Sequence, residues 1–162
     1  DQADKVRFAH LQEALTFVPF GVAVDEFQHI CYAHPELTPR ERTYQWHLLE
    51  EKYMPWRRYE NDAFMERGGY WYHKLHIYLY PFYYINYTLT TMGAMEFKKK
   101  YAENKEAAWQ DYLRLCRTGG SRSYLETLRY ADLANPFEEG SVQRACGYAE
   151  EILLQQIAAQ ER

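Results

Sequence analysis

Apolar side chains recur at Phe8, Leu11, Leu15, Val18, Val22, Phe27 and Ile30, in the three- and four-residue steps that line one side of a helix. This spacing predicts a long helix over residues 4–33. Pro19 lies inside the pattern and has no N–H to donate, so a kink near residues 16–18, or two helices meeting there, is expected. Pro35 marks the end, because the residue before a proline is driven out of helical geometry. Thr38, Pro39 and Glu41 then form a capping-box pattern that opens a second helix over 39–53, stopping before Pro55. Residues 55–70 are polar and carry Gly68 and Gly69, so they read as irregular, with a helical turn at 63–67. Residues 70–79 fit helix or strand by periodicity and take helix from their neighbours. Pro81 opens a further helix over 82–101, whose lysine-rich end suits a helix C-terminus. Helices at 105–117 and 123–133 flank the breaker at 118–121, and Ser141 is expected to cap a last helix to about residue 160. The expected fold class is all-α, with residues 1–162 forming a single helical segment around one core.

A chain of 162 residues, 47% hydrophobic, is long enough to bury such a core without a metal or disulfide to hold it. The formal charge of -4 leaves no basic footprint for nucleic acid, and no apolar run is long enough to cross a bilayer. Neither nucleic acid nor membrane is expected as a partner. The start has none of the regions of a signal peptide, which gives a cytoplasmic expectation. It also lacks an initiator Met and enters an amphipathic pattern at once, as a piece of a longer protein would. Cys31, Cys116 and Cys146 are odd in number and lack CxxC spacing, so buried free thiols are expected.

Metal chemistry finds little support in the spacing. Glu26 and His29 form one ExxH, whereas carboxylate-bridged di-iron bundles use two such motifs and two further glutamates. No pair of histidines has the HExxH spacing of zinc peptidases, and His73 with His76 would be an incomplete site. Asp25 and His29 stand one helical turn apart, either as a carboxylate that fixes an imidazole tautomer or as a simple surface pair. Tyrosine is the conspicuous residue, 16 in all, with seven crowded between Tyr70 and Tyr87. A helix opened by Pro81 would set Tyr84 and Tyr87 on one face, with Tyr80 and His76 just before it. Protonated phenols there suit an oxyanion forming at an attacked carbonyl. From spacing alone, packing of the rings in a core or groove is the stronger reading.

The strings HLQEALTFVPFGVAVDEFQH, ERGGYW, LHIYLYPFYYINYTL and ADLANPFEEGSV resemble, in order, the C-terminal region of oligoendopeptidase F type zinc metallopeptidases, relatives of thimet oligopeptidase. The resemblance implies the C-terminal portion of a zincin-type catalytic domain around a deep channel. The zinc is then held by an HExxH helix and a more distant glutamate upstream, and this segment supplies no metal ligand. Matched by motif, His76 falls on the family's substrate-contacting histidine and Tyr87 on its oxyanion-stabilising tyrosine. Tyr80, Tyr83 and Tyr84 fall among substrate-facing positions, and Gly68 and Gly69 on a loop near the groove. The order of the glycine loop and the histidine departs from the thimet branch, and the spacing is one residue shorter. The implied function is hydrolysis of short peptides, completed by the remainder of the same catalytic domain, with the segment alone inactive. A noncatalytic helical interaction module with an aromatic binding patch is the competing class.

Overall fold

The computed structural model describes residues 2–160. Among them are eight α-helices, α1 (Gln2–Ala33), α2 (Pro39–Tyr53), α3 (Ala63–Glu66), α4 (Leu75–Leu79), α5 (Ile85–Glu103), α6 (Lys105–Thr118), α7 (Tyr124–Tyr130) and α8 (Ser141–Gln160), with a 3₁₀ helix at Gly69–His73. The all-α expectation holds. The chain divides into two compact units, one of residues Thr16–Thr88 and one of Asp1–Leu15 with Leu89–Arg162.

In the 16–88 unit, α1 continues past Pro19 as one helix instead of two. Losing the proline's hydrogen bond costs about 3 kcal/mol. Val18, Phe20, Ala23, Val24 and Phe27, all buried, hold the helix on both sides of it. α2 begins as expected: the Thr38 hydroxyl accepts from Glu41 N, and Thr38 N donates to the Glu41 carboxylate at 2.8 Å. Trp46 and Leu49 from α2 meet Phe20 and Phe27 in a core completed by Met54, Trp71, Ile77 and Tyr84. Phe27 lies edge-on to Trp46 at 5.4 Å, and Phe20 edge-on to Trp46 at 6.2 Å. Such aromatic pairs add about 0.5–1.5 kcal/mol each beyond the area they bury.

Two expectations for residues 70–101 need correction. The helix assigned to 70–79 is a 3₁₀ segment and a separate short α4, parted at Lys74, whose backbone is extended. The helix expected from residue 82 starts only at Ile85, because Phe82 takes φ 57 and Tyr83 N turns back to Tyr80 O at 3.2 Å. A left-handed residue cannot continue a right-handed helix.

Gly21 of α1 is buried against Thr88, in the first turns of α5. A Cβ added at Gly21 would overlap the Thr88 hydroxyl and come within 3.2 Å of its Cβ. Gly21→Ala is therefore expected to destabilise the chain by about 1–3 kcal/mol, read as a lower denaturation midpoint. Thr88→Ala in the same background should recover most of that loss. It makes room, and the Thr88 hydroxyl it removes is buried without a hydrogen-bond partner.

In the other unit, Lys100 of α5 pairs with Asp111 of α6 at 2.6 Å and with Asp132 beyond α7 at 2.7 Å. The Asp132 carboxylate is held below the usual range by hydrogen bonding and charge from Lys100. α7 ends at Tyr130, short of the expected 133. Asp132 turns left-handed at φ 54 and Leu133 N donates back to Leu128 O at 2.8 Å, a closing turn that satisfies the last carbonyls. α6 and α8 span the expected stretches. The Ser141 hydroxyl does not cap α8 as expected; it donates to Pro136 O at 2.6 Å, while Gly140, at φ 73, supplies the carbonyl that receives Arg144 N.

Candidate active site

The approach to the site is set by the loop after α2. Asp62 accepts from Phe64 N and Met65 N, which starts the single turn of α3. Gly68 then adopts φ 97, and its backbone lies so close to α2 that an added Cβ would meet Thr43 O and come within 2.8 Å of His47 N. A Cβ at Gly69 would run into the ring of Phe64. Both glycines are buried, so their bare backbones are accounted for by packing of the loop itself. Trp71 enters the core from the 3₁₀ helix and Ile77 from α4, which fixes α4 and with it His76.

Around His76 the chain gathers four of the crowded tyrosines. The His76 Nε2 lies 3.3 Å from the Tyr87 hydroxyl, and the two rings stand edge to face at 5.5 Å. Tyr83 stacks nearly parallel to the imidazole at 6.3 Å, Tyr84 meets it edge-on at 5.2 Å, and Tyr80 lies at 5.7 Å. Exposure separates them. Tyr84 is 6% exposed and packs on Phe17 and Phe20 beneath the cluster, whereas Tyr80, Tyr83 and Tyr87 are 51%, 47% and 38% exposed. Tyr84 immediately precedes α5 and Tyr87 stands in its first turn, so the two lie one turn apart with their rings edge to face at 5.2 Å. Residues 76 and 87 meet across the reversal at 80–84, in which Tyr80 N bonds His76 O at 2.9 Å and Tyr87 N bonds Tyr84 O at 3.1 Å.

Burial pushes the Tyr87 phenol above its ordinary value, and the neighbouring Tyr83 and Tyr80 hydroxyls push the same way. Burial does the same at Tyr84. These phenols stay protonated at neutral pH and keep a proton to donate. Lys74, which the spacing did not single out, lies over the rings of Phe20 at 4.7 Å and Tyr84 at 5.8 Å. Burial lowers its pKa and the nearby Arg57 lowers it further.

The other candidates do not join this cluster. Glu26 of the ExxH pairs with Lys52 at 2.9 Å and accepts from the Tyr53 hydroxyl; burial opposes its ionisation, but these two partners outweigh it and hold the carboxyl below the usual range. Asp25 and His29 form the expected pair at 3.4 Å, with the imidazole largely exposed. His73 turns to its own 3₁₀ segment, its Nδ1 2.5 Å from Tyr70 O. Among the described residues no group of three or more His, Cys, Asp or Glu side chains could hold a metal ion, and no helix is long and apolar enough to cross a membrane. The three cysteines are unpaired; Cys116 is exposed and Cys31 and Cys146 half-buried, less enclosed than expected.

No protein-family model matches the chain, and no curated protein matches it. Solved structures do. The chain is 49% identical to a protein assigned as oligoendopeptidase F, with 93% of this chain and 27% of that one covered and a TM-score of 0.88. It is equally 49% identical to PZ peptidase A, determined with an inhibitor, over 94% of this chain and 27% of that one at a TM-score of 0.89. A protein assigned as oligoendopeptidase F from Bacillus anthracis str. Ames is 40% identical over 94% of this chain and 24% of its own, at a TM-score of 0.74. The chain thus spans about a quarter of the length of the solved relatives it matches.

Proposed function

Since this chain is a segment of the oligoendopeptidase F type, we propose that it forms one wall of a peptide-hydrolysing site in which His76 and Tyr87 steady the charge that develops on the scissile carbonyl oxygen. The observation that carries this reading is the 3.3 Å approach of the Tyr87 hydroxyl to His76 Nε2, at a place where the phenol is also exposed. With its proton on Nε2, the imidazole donates to the phenol oxygen, and the phenol keeps its own O–H as a donor. That O–H then meets an oxygen gaining negative charge, a match stronger in the transition state than in the ground state.

Tyr80 and Tyr83 present exposed rings beside this pair and are assigned the contacts to substrate side chains or backbone. Tyr84 is assigned a supporting place beneath them, and Gly68 and Gly69 the shaping of the loop that precedes them. The resemblance implies a zinc ion held by residues outside this chain, which when bound would polarise the carbonyl and activate water. The roles assigned to this segment on this reading fall to its hydrogen-bond donors and rings. On this reading the segment by itself is inactive, and short peptides, the rest of the catalytic domain and a cytoplasmic setting complete the proposal.

The test is His76→Ala in the intact peptidase. Removing a group that orients another donor costs roughly 10- to 100-fold in activity. We expect a fall of that order in kcat/KM on a short peptide, with Tm and metal content unchanged. Unaltered turnover would overturn the reading and favour a noncatalytic aromatic binding surface.

A further inference from the structure

Phe82 is a bulky residue in the left-handed region, at φ 57, inside the turn that carries the phenols. L side chains rarely adopt this conformation, and one of this size does so only where its surroundings hold it. No interior holds it, since the ring is 38% exposed. It lies instead against a pair of rings from α1: His29 at 4.7 Å and Tyr32 at 5.1 Å, each tilted 43° to the Phe82 ring. His29 and Tyr32 stand three residues apart and so present to the same side of α1. One turn earlier, Asp25 reaches His29 Nε2 at 3.4 Å and orients the imidazole. α1 is in turn anchored in the core by Phe20, Val24 and Phe27.

The position of Phe82 gives this grip its consequence. Tyr80 lies two residues before it and Tyr83 one residue after, and the left-handed angle between them sets how Tyr80 is aimed relative to Tyr83 and Tyr87. We propose that Phe82, gripped by His29 and Tyr32, is a positioning residue that fixes the phenol-bearing turn around His76. The Asp25 and His29 pair thereby acts from α1 on the site without touching its substrate. The catalytic consequence rests on the function proposed above; the geometric one does not.

Two measurements separate them. In the 162-residue chain with ¹⁵N-labelled histidine, Phe82→Gly accepts the same backbone angle without offering a ring. The His76 ring nitrogens are expected to move toward the shifts of a freely solvated imidazole. Phe82→Tyr keeps the ring and should leave them in place. In the intact peptidase, Phe82→Gly is expected to lower kcat about 10-fold or more, with KM within about twofold, as misplacement of reacting groups does. Phe82→Tyr should restore kcat. Should Phe82→Gly fail to fold, Phe82→Leu, apolar but without ring faces, is read in the same way. Unchanged His76 shifts in the ring-less variant, or an equal loss in Phe82→Tyr, would overturn the proposal. A failure of the catalytic reading shows instead as full activity in a variant of Tyr87, and leaves the histidine spectrum to decide this one.

Discussion

Tyr87→Phe in the intact peptidase is expected to lower kcat by about 10²- to 10³-fold, the usual cost of one lost oxyanion donor, or roughly 3–4 kcal/mol of transition-state stabilisation. The substitution removes one oxygen and leaves the ring, so the edge-to-face contacts with His76, Tyr83 and Tyr84 at 5.2–5.5 Å survive. Folding and ground-state substrate packing are therefore little affected, and KM should stay close to wild type. An equal fall in kcat and kcat/KM is the signature of an interaction made only in the transition state. Steady-state kinetics on a short chromogenic peptide reads it directly. A raised KM at unchanged kcat would instead make Tyr87 a ground-state contact and remove it from the proposed role.

The largest stability effect is expected at Gly68. An alanine there must keep φ 97 while its Cβ presses on backbone atoms of Thr43 and His47. Backbone in α2 cannot step aside as the end of a side chain can. The conformational penalty and the overpacking together amount to about 2–4 kcal/mol. For a domain of this size that lowers Tm by roughly 5–15 °C. Gly119 supplies the control, since it also has positive φ, 49, but nothing lies within 4 Å of its added Cβ. Gly119→Ala should cost only about 1 kcal/mol, the conformational part alone. Equal losses at the two positions, measured by calorimetry, would show that the loop gives way and α2 does not constrain it.

Local chemistry made much of this fold legible in the sequence. Thr38, Pro39 and Glu41 announce α2, Pro35 closes α1, and the Gly119–Gly120 breaker separates α6 from α7, each through a side-chain or backbone property that acts within a few residues. The resemblance to oligoendopeptidase F was also carried by residues in order along the chain, and the solved relatives match it throughout. What the sequence could not show depends on contacts between distant segments. No local rule predicts a left-handed phenylalanine, because its stability comes from rings fifty residues away on α1. Without it, the spacing starts α5 too early, and nothing in the sequence shows that Tyr84 is buried below the cluster while Tyr87 is exposed. Similarly, GG reads as an irregular stretch, and only the fold shows the close approach of this loop to α2 and to Phe64. The gathering of His76 with Tyr80, Tyr83 and Tyr87 was foreseeable as a neighbourhood, though not as an arrangement.

The contact between Gly21 and Thr88 bears on how the neighbouring Tyr87 meets a ligand. Backbone on α1 abuts the residue next to Tyr87, and Tyr84 is locked in the core below, so the turn between them has little rotational freedom left to surrender. The entropic toll of arranging these hydroxyl and imidazole groups falls on folding and not on encounter. On the function proposed above, recognition should accordingly resemble lock and key, with a small heat-capacity change confined to whatever apolar area the ligand itself covers.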